Sequence, residues 1–354
     1  MSGSGLSRIH ILGAGAVGLL FAAHLRQAGH PITLLLRTQA AVDRFERQGC
    51  RISVVNDWMR ANPARSRLLA PGEPIAPCAV DDIQAETPAS THAAIGKLIL
   101  ATKAQDTLRA FADVRSRLDA QSTVVMLQNG MGAFEAIQRE LYAHAAAPAF
   151  IVGTNAHGCL RRAGDEFSTH HTAMGTCRLA LRPAVAGSAP PDSALELLTA
   201  LGALPLDVAV VNWSELQPLL LLKLAANAII NPATALAGCH NRSMRLLKHT
   251  DGHAGIQGFV VLACAEIAAI YARAHPHLHA ELSAQAIEEY VAHIIDVTAQ
   301  NRSSMLQDVA GGRPTEVEWI NGYLVRLGQQ HGVPTPVNAA LYGLVKLKES
   351  TARE

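Results

Sequence analysis

The sequence has no Cys-x-x-Cys pair, no block of basic residues, and no uncharged apolar run of the ~20 residues a membrane span needs. Its six cysteines (Cys50, Cys78, Cys159, Cys177, Cys239, Cys264) lie far apart. That spacing offers neither a zinc site nor a disulfide framework, and it suits a reducing compartment. Thirty basic and 29 acidic residues leave a formal net charge of +1. Proteins that grip phosphates carry a basic bias or patch, so no nucleic-acid partner is expected. The most apolar stretches, around Pro218–Leu222 and Gly258–Ala265, are interrupted by Lys223 and Glu266, so no membrane partner is expected. Met1–Ser7 is small and polar and leads straight into a strand, without a secretory signal; a soluble, cytoplasmic protein is the expectation. No Walker loop, Ser-His-Asp order or metal-ligand spacing occurs. The 16 histidines cluster only at His170-His171 and at His275, His277 and His279. These are expected on the surface, with no metal.

What is present is apolar material, 49% of residues against 17% charged, enough for sizeable cores. At 354 residues two domains are expected, with the boundary at 212/213. The order from Arg8 to Leu36 is strand, glycine-rich turn, helix, strand: one βαβ unit. Further strands are expected at Lys97–Thr102, Thr123–Leu127, Phe150–Asn155 and Arg178–Arg182. The proline-rich region 56–96 reads as loops and edge pieces of an insertion, and Pro183–Pro191 as a surface loop. Beyond Trp213 helical periodicity takes over, at 214–230, 255–274, 281–300, 315–331 and 338–349. The fold class is therefore α/β, a dinucleotide-binding domain over 1–212 followed by an all-α domain over 213–354.

Gly13-Ala14-Gly15-Ala16-Val17-Gly18 sits between the first strand and the first helix. Such glycines permit a tight turn, close approach of backbone to a pyrophosphate, and helix–strand packing; the helix N-terminus then faces the phosphates. A glycine turn without ligand, or a methyltransferase loop, has a similar shape. Arg37 ends the second strand where an NAD enzyme places Asp or Glu. A guanidinium there suits a 2′-phosphate and hence NADP, with Arg44 or Arg47 as candidates to share the role. Lys103 and Asn129 follow two further strands, on the side where open parallel sheets bind ligands. Lys223, Asn227 and Asn231 recur at i, i+4 and i+8 in an otherwise apolar helix. They either find partners in the core or face a cavity, with Lys223 as a proton donor. Pro232 is expected to kink or end that helix. Ser303 and Ser304 could donate to a carboxylate, and Glu316, two residues past Pro314, fits a helix first turn.

These pieces together resemble the ketopantoate reductase (2-dehydropantoate 2-reductase) family. The matching segments are Gly13–Gly18, Arg37, Lys103, Gln128-Asn-Gly-Met-Gly132, Lys223-Leu-Ala-Ala-Asn-Ala-Ile-Ile-Asn-Pro232, Ser303-Ser-Met-Leu-Gln-Asp308 and Thr315-Glu with Ile320-Asn-Gly, in family order over nearly the whole chain. The resemblance implies a Rossmann-type domain, a helical domain and a cleft between them. It also implies NADPH-dependent reduction of a small 2-keto acid, 2-dehydropantoate, to (R)-pantoate on the way to coenzyme A. By resemblance Lys223 is the proton donor, and Glu316 a carboxylate near ligand and nicotinamide ribose. Asn129, Asn227, Asn231, Asn241 and Ser304 contact substrate. Gly13, Ala14, Gly15, Ala16, Val17, Gly18, Arg37, Lys103, Asn129 and Cys159 contact NADPH/NADP+. A related reductase of another branched 2-keto acid, or a non-catalytic NADP-binding protein, are the alternatives. The oligomeric state is not fixed by the sequence, a homodimer being one candidate.

Overall fold

The computed structural model describes residues 6–61, 78–89, 93–162, 164–183, 189–248 and 254–351. Pro63, Pro71, Pro74 and Pro77 of the expected insertion lie outside those residues, as do residues 184–188 of the expected loop. The chain divides into two compact units, Met1–Gln128 with Glu135–Leu216, and Asn129–Phe134 with Gln217–Glu354. The short segment Asn129–Phe134, which a single cut at 212/213 leaves with the first unit, packs with the helical one.

In the first unit the strands are β1 (Ile9–Leu12), β2 (Ile32–Leu35), β3 (Ile52–Val55), β4 (Cys78–Val80), β5 (Gln84–Glu86) and β6 (Lys97–Leu100). They continue as β7 (Thr123–Met126), β8 (Ala149–Asn155), β9 (Gly158–Leu160), β10 (Ser168–Ala173), β11 (Cys177–Leu181) and β12 (Val208–Val210). β1, β2, β6 and β7 are buried at every residue, as continuous apolar runs are when helices cover both faces of a sheet. Eight strands form one sheet in the order β12-β11-β8-β7-β6-β1-β2-β5, parallel except between β8 and β11. Between them run α1 (Ala16–Gln27), α2 (Gln39–Arg47), the single turn α3 (Trp58–Ala61), α4 (Ala104–Val114), α5 (Ala133–Leu141) and α6 (Asp192–Gly202).

A second sheet, β4-β3-β10-β9, had no counterpart in the sequence reading. Its strands are short, and β10, Ser-Thr-His-His-Thr-Ala, carries no apolar alternation. β10 nevertheless buries Thr169, His170 and His171 in succession, which corrects the surface placement of the two histidines. They are buried because each has a polar partner inside. His170 Nδ1 lies 2.9 Å from Asp57 Oδ2, and His171 Nε2 lies 3.1 Å from His157 Nδ1. β4 and β5, both from the region read as edge pieces, do occupy the edges of the two sheets.

The second unit is helical: α7 (Trp213–Ala237, entering from the first unit), α8 (Ala254–Ala274), α9 (Ala284–Val297), α10 (Ser304–Ala310), α11 (Asn321–His331) and α12 (Pro336–Thr351). Its core gathers Leu224, Ile229, Ile267, Tyr271, Ile287, Val317 and Leu324. α7 runs on through Pro232, contrary to the expected stop. Proline removes the amide that would serve the carbonyl four residues back, here Ala228. Asn321 supplies the substitute: its Nδ2 donates to Ala228 O at 2.9 Å. Continuing past Pro232 makes α7 long and apolar enough, by length and composition, to cross a membrane, with mean hydropathy 1.5. Of that stretch 67% is buried inside the protein, the condition of a core helix.

Candidate functional site

β2, β1, β6 and β7 lie side by side and parallel, so their carboxyl ends share one edge of the sheet. The chain reverses its order around β1, which makes that edge a topological switch point. The glycine loop leaves β1 there, Arg37 follows β2, Lys103 follows β6, and Gln128-Asn129 follows β7.

The three glycines have three different reasons. Gly13 has φ +109°, and a Cβ on it would lie 2.6 Å from the Ala101 backbone. Gly18 packs α1 so close to the turn that a Cβ would be 2.0 Å from Gly13 O. At Gly15 the nearest atom to such a Cβ is 3.9 Å away, so the loop is open where a phosphate would approach. Gly15 is also the cap of α1 and makes no side-chain bond to its first turn, which carries no acidic residue. The free amides at that helix end suit a dianionic group, so these residues fit a dinucleotide pyrophosphate.

Arg37 is 76% exposed and pairs with Asp106 at 3.3 Å. Arg44 is held by Glu166 through two bonds of 2.7 and 2.8 Å, a pairing that lowers the glutamate's pKa. Lys103 is half-buried and caps α4 through its backbone, its carbonyl accepting from Thr107 Oγ1 at 3.1 Å. Gln128 Nε2 also donates to Thr107 Oγ1, at 3.2 Å, while Gln128 Oε1 is buried with no protein partner. Cys159 lies in β9 opposite His171. Burial pushes its thiol up to about 12, so it is no nucleophile at neutral pH. Two residues that sequence reasoning passed over brace the glycine loop: Thr169 Oγ1 donates to Ala16 O at 3.0 Å, and Arg161 Nη1 to Ala14 O at 3.3 Å. Thr169 lies within polar β10 and Arg161 just past the three-residue β9, and no local sequence pattern marks either.

In the helical unit α7 presents Lys223 and Asn227 half-buried and Asn231 buried along one face. Just beyond, Thr234 Oγ1 donates to Ser303 Oγ at 2.7 Å, tying α7 to the start of α10. Ser303 is spent as the cap of α10, accepting from Leu306 N, while Ser304 is exposed. Asn241 is buried, donates to Thr298 Oγ1 at 2.9 Å, and keeps Oδ1 without a protein partner. Glu316 is half-buried at the cap position of the turn Val317–Trp319, one residue ahead of its first turn, and its side chain makes no cap bond there. The Asn129 loop packs on that same turn. Met131 N donates to Trp319 O at 2.9 Å, and a Cβ on Gly130 would strike Trp319 O at 2.6 Å. The Asn321–Ala228 bond joins the segment following Glu316 to the middle of α7. The turn after Glu316 and the Asn129 loop thus pack on one another, and Asn321 ties the helix that follows to α7.

A cavity of about 460 Å³ lies elsewhere in the first unit, against His10, Thr33, Lys97 and Arg117, and no expected site residue lines it. Among the described residues no group of three or more His, Cys, Asp and Glu could hold a metal ion.

The family model described as ketopantoate reductase PanE/ApbA matches residues 9–183, and the corresponding C-terminal model matches residues 215–349. The 2-dehydropantoate 2-reductase of Vibrio cholerae is 31% identical over 347 residues, covering 97% of this chain and 98% of the relative. This chain belongs to the ketopantoate reductase family. Another relative, the 2-dehydropantoate 2-reductase of Salmonella typhimurium, is 32% identical over 350 residues, with 97% and 95% coverage. Among solved structures, the probable 2-dehydropantoate 2-reductase of Bacillus subtilis has a TM-score of 0.69 at 26% identity, covering 96% of this chain and 99% of that one. A D-mandelate dehydrogenase determined with NADH and anilino(oxo)acetate has a TM-score of 0.75 at 19% identity, covering 98% and 100%, a likeness of fold alone. The ketopantoate reductase family accounts for both units of the chain, the Rossmann-type sheet unit and the helical one.

Proposed function

We propose that the protein reduces 2-dehydropantoate to (R)-pantoate with NADPH. Residues 1–212 would hold the cofactor and 213–354 the groups that act on substrate. The observation that carries this reading is the pairing, in one family member, of an open glycine loop with a lysine–asparagine face on a buried helix. The names of the relatives supply the substrate. NADPH, when bound, supplies a hydride to the 2-keto carbon.

The residues of the chain then do the rest. Gly13, Ala14, Gly15, Ala16, Val17 and Gly18 receive the pyrophosphate on backbone amides. Arg37 takes the 2′-phosphate, and Lys103, Asn129 and the backbone at Cys159 hold the rest of the cofactor. Lys223 donates a proton to the developing alkoxide and stabilises its charge before transfer. Asn129, Asn227, Asn231, Asn241 and Ser304 bond the substrate's hydroxyl and carboxylate; amides both donate and accept without adding charge. Glu316 faces the ligand and the nicotinamide ribose.

The test is to follow NADPH consumption with 2-dehydropantoate beside a panel of other branched 2-keto acids. Preference for 2-dehydropantoate by kcat/KM is expected. A stronger preference for another keto acid would reassign the substrate, and no turnover with any would leave a cofactor-binding protein.

A further inference from the structure

We propose that Asn321 is a positioning residue for the Lys223–Asn227–Asn231 face, doing for α7 what the missing amide of Pro232 cannot. This rests on the functional reading above for its activity readout.

The broken rung of the helix ladder spans Ala228 to Pro232. It therefore lies between Asn227 and Asn231, inside the polar face. A helix opened at that point would swing Lys223 and Asn227 away from Asn231, and the ordinary result of an interior proline is such a kink. In this protein the rung is remade from another element. Asn321, the first residue of α11, is fully buried and gives Nδ2 to Ala228 O at 2.9 Å and to Asn338 Oδ1 at 2.9 Å. Asn338 is fixed in turn: its Nδ2 donates to Glu266 Oε1 at 2.7 Å, and its backbone amide to the same oxygen at 2.9 Å. Glu266 Oε2 accepts from Val337 N at 2.8 Å. The Glu266 carboxylate on α8 thus caps the start of α12, α12 orients Asn338, and Asn338 orients the Asn321 amide toward α7. Asn321 leaves its own Oδ1 buried without a protein partner. A site that tolerates this unsatisfied acceptor is using the asparagine for its donor.

The experiment is a two-by-two set: wild type, Asn321→Ala, Pro232→Ala and the double variant. Replacing Pro232 by alanine restores the backbone amide to Ala228 O and makes Asn321 redundant. Asn321→Ala is expected to lower kcat with the keto acid by ~10–100-fold, the scale of a small misplacement of catalytic groups, with NADPH affinity unchanged. It should also speed amide hydrogen exchange along α7 around residues 228–236. The double variant should recover both kcat and exchange protection to near the Pro232→Ala level. If Asn321→Ala does not fold, the double variant should.

A double variant no better than Asn321→Ala, or wild-type kcat and exchange in Asn321→Ala, would overturn the role. If the wild type turns over no 2-keto acid, the functional reading falls, and the exchange pattern still decides what Asn321 does.

Discussion

The glycine loop and the polar face of α7 both depend on a helix, and they use opposite parts of it. At the loop the useful groups are backbone amides at a helix end, and the side chains matter by being absent: Gly15 leaves open space and Gly18 permits contact. On α7 the useful groups are side chains in a helix middle, on a helix that runs on through two residues without an amide, Pro218 and Pro232. The first arrangement is written in six consecutive residues, with Ala101, Thr169 and Arg161 packed against them. The second needs α8, α11 and α12 to hold it, through Glu266, Asn338 and Asn321.

The sharpest way to separate the two is Lys223→Ala. If α7 supplies chemistry and the loop supplies only binding, kcat should fall by ~10²–10⁴-fold, the usual worth of a positioned proton donor. NADPH should still bind, as measured by quenching or enhancement of its fluorescence. Near-normal turnover would remove Lys223 from the mechanism and leave α7 as a core helix with a satisfied lysine.

The units should also respond differently to acid. In the sheet unit burial holds His10 and His171 down at about 4, helped by Arg117 for His10 and by the neighbouring His157 for His171. His24 and His157 are lowered as well, again chiefly by burial. A histidine whose folded pKa lies below its unfolded value near 6.5 is neutral in the native state, while the unfolded chain takes up its proton first. The stability it contributes is therefore complete above about 6.5 and is lost as the pH falls from there to about 4. Each of His10 and His171 accounts for at most ~3 kcal/mol, and the coupled His157–His171 pair for less than its sum. Thermal melting followed from pH 7 to pH 4 should show Tm falling across this window, and His10→Gln should flatten the fall. A Tm independent of pH over that range would mean these histidines are hydrated in solution.

How much of this was legible follows the same division. β1, β2, β6 and β7 were readable because a strand buried on both faces is mostly apolar, with single polar residues such as His10, Thr33, Lys97 and Thr123 among them. The glycine loop was readable because its three glycines answer to hard steric limits. Lys223, Asn227 and Asn231 were readable from helical spacing alone. The second sheet was not, since β9 is too short and β10 too polar to show a period, and the burial of β10 comes with partners such as Asp57 and His157, distant in sequence. Pro232 misled for a related reason: local chemistry says stop, and the donor that overrides it sits 89 positions away, at Asn321.

A matched pair of substitutions in the loop tests whether its glycines work for fold or for ligand. Gly18→Ala forces a methyl to within 2.0 Å of Gly13 O and should cost ~1–3 kcal/mol of stability, read as a lowered Tm. Gly15→Ala meets nothing closer than 3.9 Å, so Tm should stay put while NADPH affinity drops by roughly tenfold, the methyl occupying the phosphate's approach. If Gly15→Ala binds NADPH normally, the loop is a structural turn and the comparison with α7 collapses.

The smallest expected effect belongs to Arg37. Its guanidinium is 76% exposed and its 3.3 Å partner Asp106 is itself nearly half exposed, so this ion pair is worth little and does not lock the side chain. Arg37 can leave Asp106 for a 2′-phosphate, and the gain is the difference between a dianion and a carboxylate in nearly bulk solvent. Arg37→Ala should therefore raise KM for NADPH by about tenfold or less, leave kcat at saturation alone, and leave KM for NADH unchanged. Because the groups are exposed, the NADPH effect should shrink as salt is raised, which a buried contact would not do. Asp106→Asn removes the competitor and should move KM for NADPH slightly in the opposite direction. Should Arg37→Ala alter NADPH and NADH kinetics equally, the preference for the phosphorylated cofactor would lose its basis in this residue, and the sheet unit would bind its nucleotide through the glycine loop alone.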